Sequence, residues 1–446
     1  MQTPICDFVK QYADSHALRL HMPGHKGDPM LGVESRDITE IAGADVLYHA
    51  HGIIRQSQDN ATALYGTAAT VYSAEGSSLA IRAMLYLAAM CAKAAGKTPH
   101  VLAGRNAHKT FLTATALLDV AVCWLFPQAA ESLMSCEISA ADLEERLAAM
   151  DDKPTAVYVT SPDYLGHVAD VAGLAAVCHR YGVLLVVDNA HGAYLHFLPE
   201  SRHPIALGAD MCCDSAHKTL PVLTGGAYLH IAKTAPAGVA EQASHAMSLF
   251  ASTSPSYLIL QSLDAANRYL ADGYRETLAH FVGQVDRMKA RLIAAGYTLV
   301  GDEPLKLTVA AKPYGYRGDR LSQLLTDAGI VDEYSDADFT VMMLTPTVGE
   351  AGLAKIEQTL LAIPQGRPII ESMPPLSVPI RRMSPREALF SPGRTVSVQD
   401  AIGRVLASAT VSCPPAIPIV VSGEEIDESA LRVFAYYGID TCRIVE

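Results

Sequence analysis

The stretch Val183-Leu184-Leu185-Val186-Val187-Asp188-Asn189-Ala190-His191, followed further along by Ser215-Ala216-His217-Lys218, decides how this chain folds. The apolar run before Asp188 has the length and branching of a strand buried on both faces, as in a parallel sheet. Such a strand delivers a carboxylate at its C-terminal end, where open α/β sheets place their ligands. A second apolar run, residues 209–213, leads to Lys218 just beyond its own end.

Working outward, short β-branched runs alternate with helical segments from about residue 70 to 232. Strands are predicted over 101–103, 121–125, 156–160, 183–187, 211–213 and 226–229. Helices are predicted over 140–150 and 171–181, with Ser139 and Asp170 as their caps. The alternation predicts an α/β fold with a mostly parallel central sheet covered on both faces. A single long helix is expected from 257 to about 294, leading into a smaller α+β C-terminal region. The expected organisation is an arm over 1–50, a major domain over 51–270 and the α+β region over 271–446. Pro-rich stretches at 363–368 and 373–379 set off a terminal subdomain from about 370.

With 446 residues, half of them hydrophobic and 18% charged, the chain is long enough for two or three packed domains and is not disordered. A formal charge of −13 argues against a nucleic-acid partner, which favours basic stripes. No basic-then-apolar leader follows Met1. The longest apolar stretch, 79–95, is broken by Arg82 and Lys93 and falls short of the ~20 residues that span a bilayer. Nine cysteines without paired spacing fit reduced thiols. No membrane partner is expected, and the expected location is cytoplasmic.

A carboxylate and a lysine at neighbouring strand ends suit pyridoxal 5'-phosphate. The amine forms a Schiff base, and the carboxylate keeps the pyridine nitrogen protonated so that the ring withdraws electrons. A lone loop lysine is ordinarily a surface residue, but Lys218 follows a strand and precedes Thr224-Gly225-Gly226. Ser215 and His217 can bind a phosphate, and the glycines let the backbone approach it. Asp188 has a plainer reading as a helix cap. His191 is placed to contact the cofactor or the substrate carboxylate. Glu75-Gly76-Ser77-Ser78 opens an apolar helix, where backbone N–H groups and the Ser77 and Ser78 hydroxyls suit a phosphate. His108, after the strand at 101–103, could stack on the ring or be an ordinary loop histidine. No metal site is expected: Pro23 and Gly24 break the helix that would align His21 with His25, and His49 and His51 lack partners.

Several ordered motifs then resemble one family. They include His21-Met22-Pro23-Gly24-His25-Lys26-Gly27, Arg105-Asn106-Ala107-His108-Lys109, Asp188-Asn189-Ala190-His191-Gly192-Ala193 and Ser215-Ala216-His217-Lys218-Thr219-Leu220. Ser252-Thr253-Ser254-Pro255-Ser256-Tyr257 and Met383-Ser384-Pro385-Arg386-Glu387-Ala388 add to them. The chain resembles the pyridoxal-phosphate-dependent ornithine/lysine/arginine decarboxylases of the aspartate-aminotransferase fold type, in their short form without a wing domain. The resemblance implies that Lys218 carries the cofactor and that Asp188 faces the pyridine nitrogen. It implies that His108 stacks on the ring and that Ser77, Ser78, Ser215 and His217 hold the phosphate. It also implies a homodimer or higher homo-oligomer in which Ser252 or Thr253 reaches the partner's cofactor. The family often has Glu where this chain has Asn189, Thr at Ala216, Gln at Gly225 and Asn at Glu75. Its Pro-Pro-Gly-Ile-Pro signature reads Pro414-Pro415-Ala416-Ile417-Pro418 here, followed by Ser422-Gly423-Glu424.

The implied reaction is α-decarboxylation of lysine, arginine or ornithine, with reprotonation at Cα by a histidine or Lys218. Glu75, Asp45 and Asp163 are candidates for holding the substrate's distal cation. An aminotransferase or lyase could use the same Lys–Asp core. A transaminase would need an arginine clamp, for which Arg381, Arg382 and Arg386 are available. A catalytically drifted homologue that only binds the cofactor is the further alternative.

Overall fold

The computed structural model describes residues 1–127, 132–413 and 417–446, without the side chains of 411–413, 417 and 418. The Pro414-Pro415-Ala416 part of the C-terminal signature lies outside these described residues.

The central sheet contains β1 (Ala69–Ser73), β2 (His100–Gly104), β3 (Ala121–Leu125), β4 (Ala156–Thr160), β5 (Leu184–Asp188), β6 (Met211–Asp214) and β7 (Ala227–Ile231). Its order is β1-β7-β6-β5-β4-β2-β3. Neighbours β5 and β6 run parallel, as do β2 and β3. β7 runs antiparallel to both β6 and β1. The sheet is therefore mostly parallel with one reversed strand, and the fold is that of the pyridoxal-phosphate-dependent transferases with a smaller α+β part.

Two predicted strands, β3 and β4, begin and end where the sequence pattern places them. β5 starts one residue later than expected and ends on Asp188 itself. β1 was not anticipated. The predicted helix over 257–294 is two helices, Tyr257–Ala271 and Tyr274–Ala294. Gly273 between them has φ +71, a left-handed conformation that stops a helix and that glycine adopts at no steric cost.

The chain divides into two compact units. The first comprises Met1–Thr98, Ala149–Val157 and Val171–Leu278. The second comprises Pro99–Ala148, Tyr158–Asp170 and Ala279–Glu446. In the first unit the arm is partly helical. Its α1 (Pro4–Asp14) has no cap of its own, and the buried Asp264 carboxylate supplies one by accepting from Ile5 N at 3.0 Å and Cys6 N at 2.9 Å. α2 (Ile53–Tyr65) is capped in the same remote way by Asp45, whose carboxylate accepts from Gly52 and Ile54. α3 (Ser77–Ala94) is, among the described residues, the one helix long and apolar enough to cross a membrane. It packs instead on β6, β7 and the helix Val239–Ser248, with Leu79, Met84 and Leu87 fully buried.

In the second unit, α4 (Lys109–Leu118) follows β2, and α5 (Ala140–Ala148) precedes β4. Ser139 caps α5 as expected, accepting from Asp142 N at 3.0 Å. An antiparallel sheet of β8 (Thr298–Val300), β9 (Lys306–Ala310), β10 (Tyr334–Ser335) and β11 (Phe339–Met343) has the order β10-β11-β9-β8. Towards the C-terminus, Leu406, Ile419, Phe434 and Ile444 form a separate apolar core.

Candidate active site at the ends of β5 and β6

β5 and β6 lie side by side and parallel, so their C-terminal ends open on the same edge of the sheet. Asp188 closes β5 and is 2% exposed. Its Oδ1 accepts from Ala190 N at 3.3 Å and from the Cys213 thiol at 3.5 Å. Burial, and next the Asp188 charge, push the Cys213 thiol well above its usual range, so it remains a protonated donor. The chain then turns, and His191, itself buried, brings Nε2 to 3.1 Å from Lys218 Nζ. Lys218 sits on the single-turn helix α6 (Ala216–Thr219), whose N-cap residue Ser215 directly follows β6.

Three loops of the same unit meet beside this lysine. Ser215 Oγ donates to Ser77 Oγ at 2.8 Å. Ser77 and Ser78 start α3, whose preceding residue is Gly76 and whose first turn has no side-chain cap. Gly76 N donates to Gly225 O at 2.7 Å. Gly225 has φ +99, and a Cβ there would stand 3.0 Å from Ala74 O, so a side chain at this position would strain this approach. His217 binds the Gly226 carbonyl through Nδ1 at 3.0 Å, which sets the neutral ring as the Nδ1–H tautomer. A helix start without a side-chain cap and serine hydroxyls form a donor set for a phosphate, to which His217 adds an Nε2–H when its ring is protonated. A lysine and a buried carboxylate stand on the adjacent strand ends. The residues present fit pyridoxal phosphate.

Other predicted residues lie on other elements. His108 follows β2 in the second unit and caps α4, its Nδ1 accepting from Thr110 N at 3.2 Å. Thr253 is exposed on the loop before Tyr257. Its neighbour Ser252 donates its backbone N–H to Glu75 Oε1 at 2.7 Å. Of the three carboxylates weighed for the distal cation, Asp45 caps α2. Asp163 is consumed by Gly166 N, His167 N and His167 Nδ1 at 2.8–2.9 Å. Glu75, on the loop that carries Ser77, accepts one backbone N–H, that of Ser252. The buried Tyr48 hydroxyl has no hydrogen-bond partner among the described residues, and burial, then the Glu75 charge, raise its pKa.

The three arginines considered as a transaminase clamp are engaged within their own unit. Arg381 donates to Val122 O, Arg382 to Glu425, and Arg386 to Ala116 O. Arg105 of the Arg-Asn-Ala-His-Lys motif meets the C-terminal Ser-Gly-Glu motif in a two-pronged pair, with Nη1 and Nη2 at 2.8 and 2.7 Å from the Glu424 oxygens. Sequence reasoning missed Asp214, His203 and His230, which cluster at full burial behind Asn189. The available signal was alternation: Cys212 and Asp214 share one face of β6, and His230 stands opposite Cys212 on β7.

Residues 3–297 match the family model described as Orn/Lys/Arg decarboxylase, major domain, and residues 377–440 match Orn/Lys/Arg decarboxylase, C-terminal domain. Among curated proteins, the chain is 29% identical over 466 residues to the uncharacterized protein YaaO of Bacillus subtilis, covering 97% of this chain and 93% of the relative. It is 29% identical over 473 residues to an arginine decarboxylase of Halalkalibacterium halodurans, covering 96% and 92%. It is 28% identical over 463 residues to an arginine decarboxylase of Bacillus subtilis, again covering 96% and 92%. Among solved structures, lysine decarboxylase LdcF of Francisella novicida superimposes with a TM-score of 0.80 at 16% identity, over 100% of this chain and 81% of that one. Lysine decarboxylase A of Pseudomonas aeruginosa gives the same score and identity over 99% and 80%. At that identity the two structures speak for the fold alone.

Proposed function

The chain belongs to the Orn/Lys/Arg decarboxylase family, whose members release CO2 from a basic amino acid with pyridoxal phosphate, and we propose that its substrate is L-arginine and its product agmatine. The observation that carries the site is the Lys218 amine 3.1 Å from His191, on the loop that leaves Asp188. The choice of arginine is supported by the names of full-length relatives in Halalkalibacterium halodurans and Bacillus subtilis.

In this reading Lys218 carries the cofactor, Ser77, Ser78, Ser215 and His217 hold its phosphate, and Asp188 holds a proton at its pyridine nitrogen. When bound, pyridoxal phosphate supplies the electron-withdrawing ring that takes up the electron pair released as the α-carboxylate leaves. The chain's own part is to hold and move protons. Asp188 is screened from water, so solvent damps its charge less than that of a surface carboxylate. His191 lies within hydrogen-bond reach of the Lys218 amine, and the two can exchange the proton that returns to Cα. Neither needs a strong grip on the substrate carboxylate, since contacts that favour the ground state slow its loss. The stacking role of His108 rests on the resemblance. Glu75 is the carboxylate that takes the distal guanidinium.

Exposed apolar side chains in the arm, among them Leu18, Leu20, Met30 and Leu31, support a homodimer. The eight described cysteines are all free thiols, which supports the cytoplasm as its location.

Incubating the pyridoxal-phosphate-loaded protein with arginine, lysine and ornithine tests the reading. Agmatine and CO2 in equal amounts are expected, with arginine turned over fastest. Cadaverine or putrescine as the main product reassigns the substrate. A keto acid without CO2, or a protein that shows no visible absorption band with added cofactor, sinks the reading itself.

A further inference from the structure

Asp214 ends β6, one residue before Ser215, and is completely buried. Its carboxylate collects three donors from distant parts of the chain. Asn189 Nδ2 lies 2.6 Å from Oδ1, while His203 Nε2 and His230 Nε2 each lie 3.1 Å from Oδ2. Asn189, His203 and His230 are likewise 0% exposed. The network continues outward: His230 Nδ1 faces Thr70 Oγ1 of β1 at 2.9 Å, and Thr67 reaches Thr70 at 2.8 Å. The Tyr65 ring closes over it, its centroid 4.5 Å from that of His230.

A carboxylate only accepts, so each partner is restricted to one form: Asn189 must present its NH2, and both imidazoles must present Nε2–H. The turn after β5 is built around this side chain, since a Cβ on Gly192 would stand 2.0 Å from Asn189 Oδ1. Asn189 follows Asp188 directly, and Asp214 directly precedes Ser215. The same hydrogen bond therefore ties together the two strand ends that carry the cofactor-facing residues.

We propose that Asn189 and Asp214 are a positioning pair, in which a carboxylate at 214 requires an amide at 189 and their bond sets the spacing of Asp188 from Ser215 and Lys218. The proposal rests on the pyridoxal phosphate site described above. A glutamate at 189 would set a second carboxylate against Asp214 in a site closed to water, and two like charges there cannot both ionise. His203, Asp214 and His230 also have the donor set of a zinc site. Their contacts are at ordinary hydrogen-bond length, and none of the three reaches solvent, so hydrogen bonding accounts for the arrangement.

The test is an isosteric exchange, read as pyridoxal phosphate affinity by visible absorption, with apo-protein melting followed alongside. Asn189→Asp alone is expected to weaken cofactor binding about tenfold or more, because it faces one carboxylate with another. Adding Asp214→Asn restores an amide–carboxylate pair of the same shape, and the double variant is expected within about threefold of the wild type. A defect in folding alone would not be repaired in cofactor affinity by moving the charge. Should Asn189→Asp not fold, Asn189→Ser deletes the donor without adding charge and is expected to weaken binding about fivefold. The proposal is overturned if Asn189→Asp, or Asn189→Ser in its place, binds within twofold of the wild type. It is overturned if the double variant is no better than Asn189→Asp. It is also overturned if purified wild type holds one equivalent of zinc that His230→Gln loses. A wild type that takes up no cofactor at all fails the site reading instead, which keeps the two failures apart.

Discussion

Two buried carboxylates, one in each unit, are satisfied by opposite chemistry. Glu424 meets a full positive charge: the Arg105 guanidinium grips both of its oxygens, and its flat face lies 5.0 Å from the Trp124 ring centre. Asp214 meets an amide and two imidazoles. Burial holds the His230 imidazole below its usual range and therefore neutral. The Asp214 carboxyl would be pushed up by burial, but His203 and His230 outweigh that and hold it well below the usual carboxylate range. An ion pair clamps two chain segments and makes few demands on proton positions. A carboxylate held by an amide and two ring N–H donors fixes an amide orientation and the nitrogen that each ring presents, close to the ends of β5 and β6.

The difference predicts unequal responses to mutation. Arg105→Met should have the largest effect on stability, about 3–5 kcal/mol, because it leaves Glu424 buried without its cation. Urea unfolding followed by circular dichroism measures it, and a loss below 1 kcal/mol would break the contrast. Asp214→Asn keeps the shape and removes the charge, so a smaller loss of about 1–3 kcal/mol is expected. Its signature is in acid. A carboxyl held below its unfolded value contributes stability that is complete above about pH 4 and is lost as pH falls below that. The wild type should therefore lose stability below pH 4 more steeply than Asp214→Asn, and parallel curves would count against the charged form.

The smallest effect concerns His167, which the Asp163 hydrogen bond raises above its usual range against the opposing pull of burial. Its contribution is complete below about pH 6.5 and is lost as pH rises through the raised value, and it should amount to less than about 1 kcal/mol. Comparing His167→Gln with wild type between pH 5.5 and 8.5 should show the two curves converging at the alkaline end.

Much of the central sheet was legible because its signals are local. The apolar run ending on Asp188 reads as a buried strand, and Ser139 reads as a cap, from a handful of neighbouring residues. The single helix expected over 257–294 fails for an equally local reason, the left-handed Gly273. β1 escaped notice because Thr70-Val71-Tyr72 is short and sits between two helices. Asp45 and Asp163 looked available for a cationic substrate because sequence names a carboxylate but not its donors. Both turn out to be occupied by backbone N–H groups a few residues away.

By itself the sequence determined the strand–helix alternation, the lysine and aspartate at strand ends, and the motifs that resemble one decarboxylase family. These depend on residue type and on spacing within short windows. Only the tertiary structure decided that Asn189 answers Asp214, that His203 and His230 share one carboxylate oxygen, and that Arg105 closes on Glu424. Strand order and loop path bring those residues together from far apart in the chain, and a carboxylate taken out of water takes its character from whichever donors the fold sets against it.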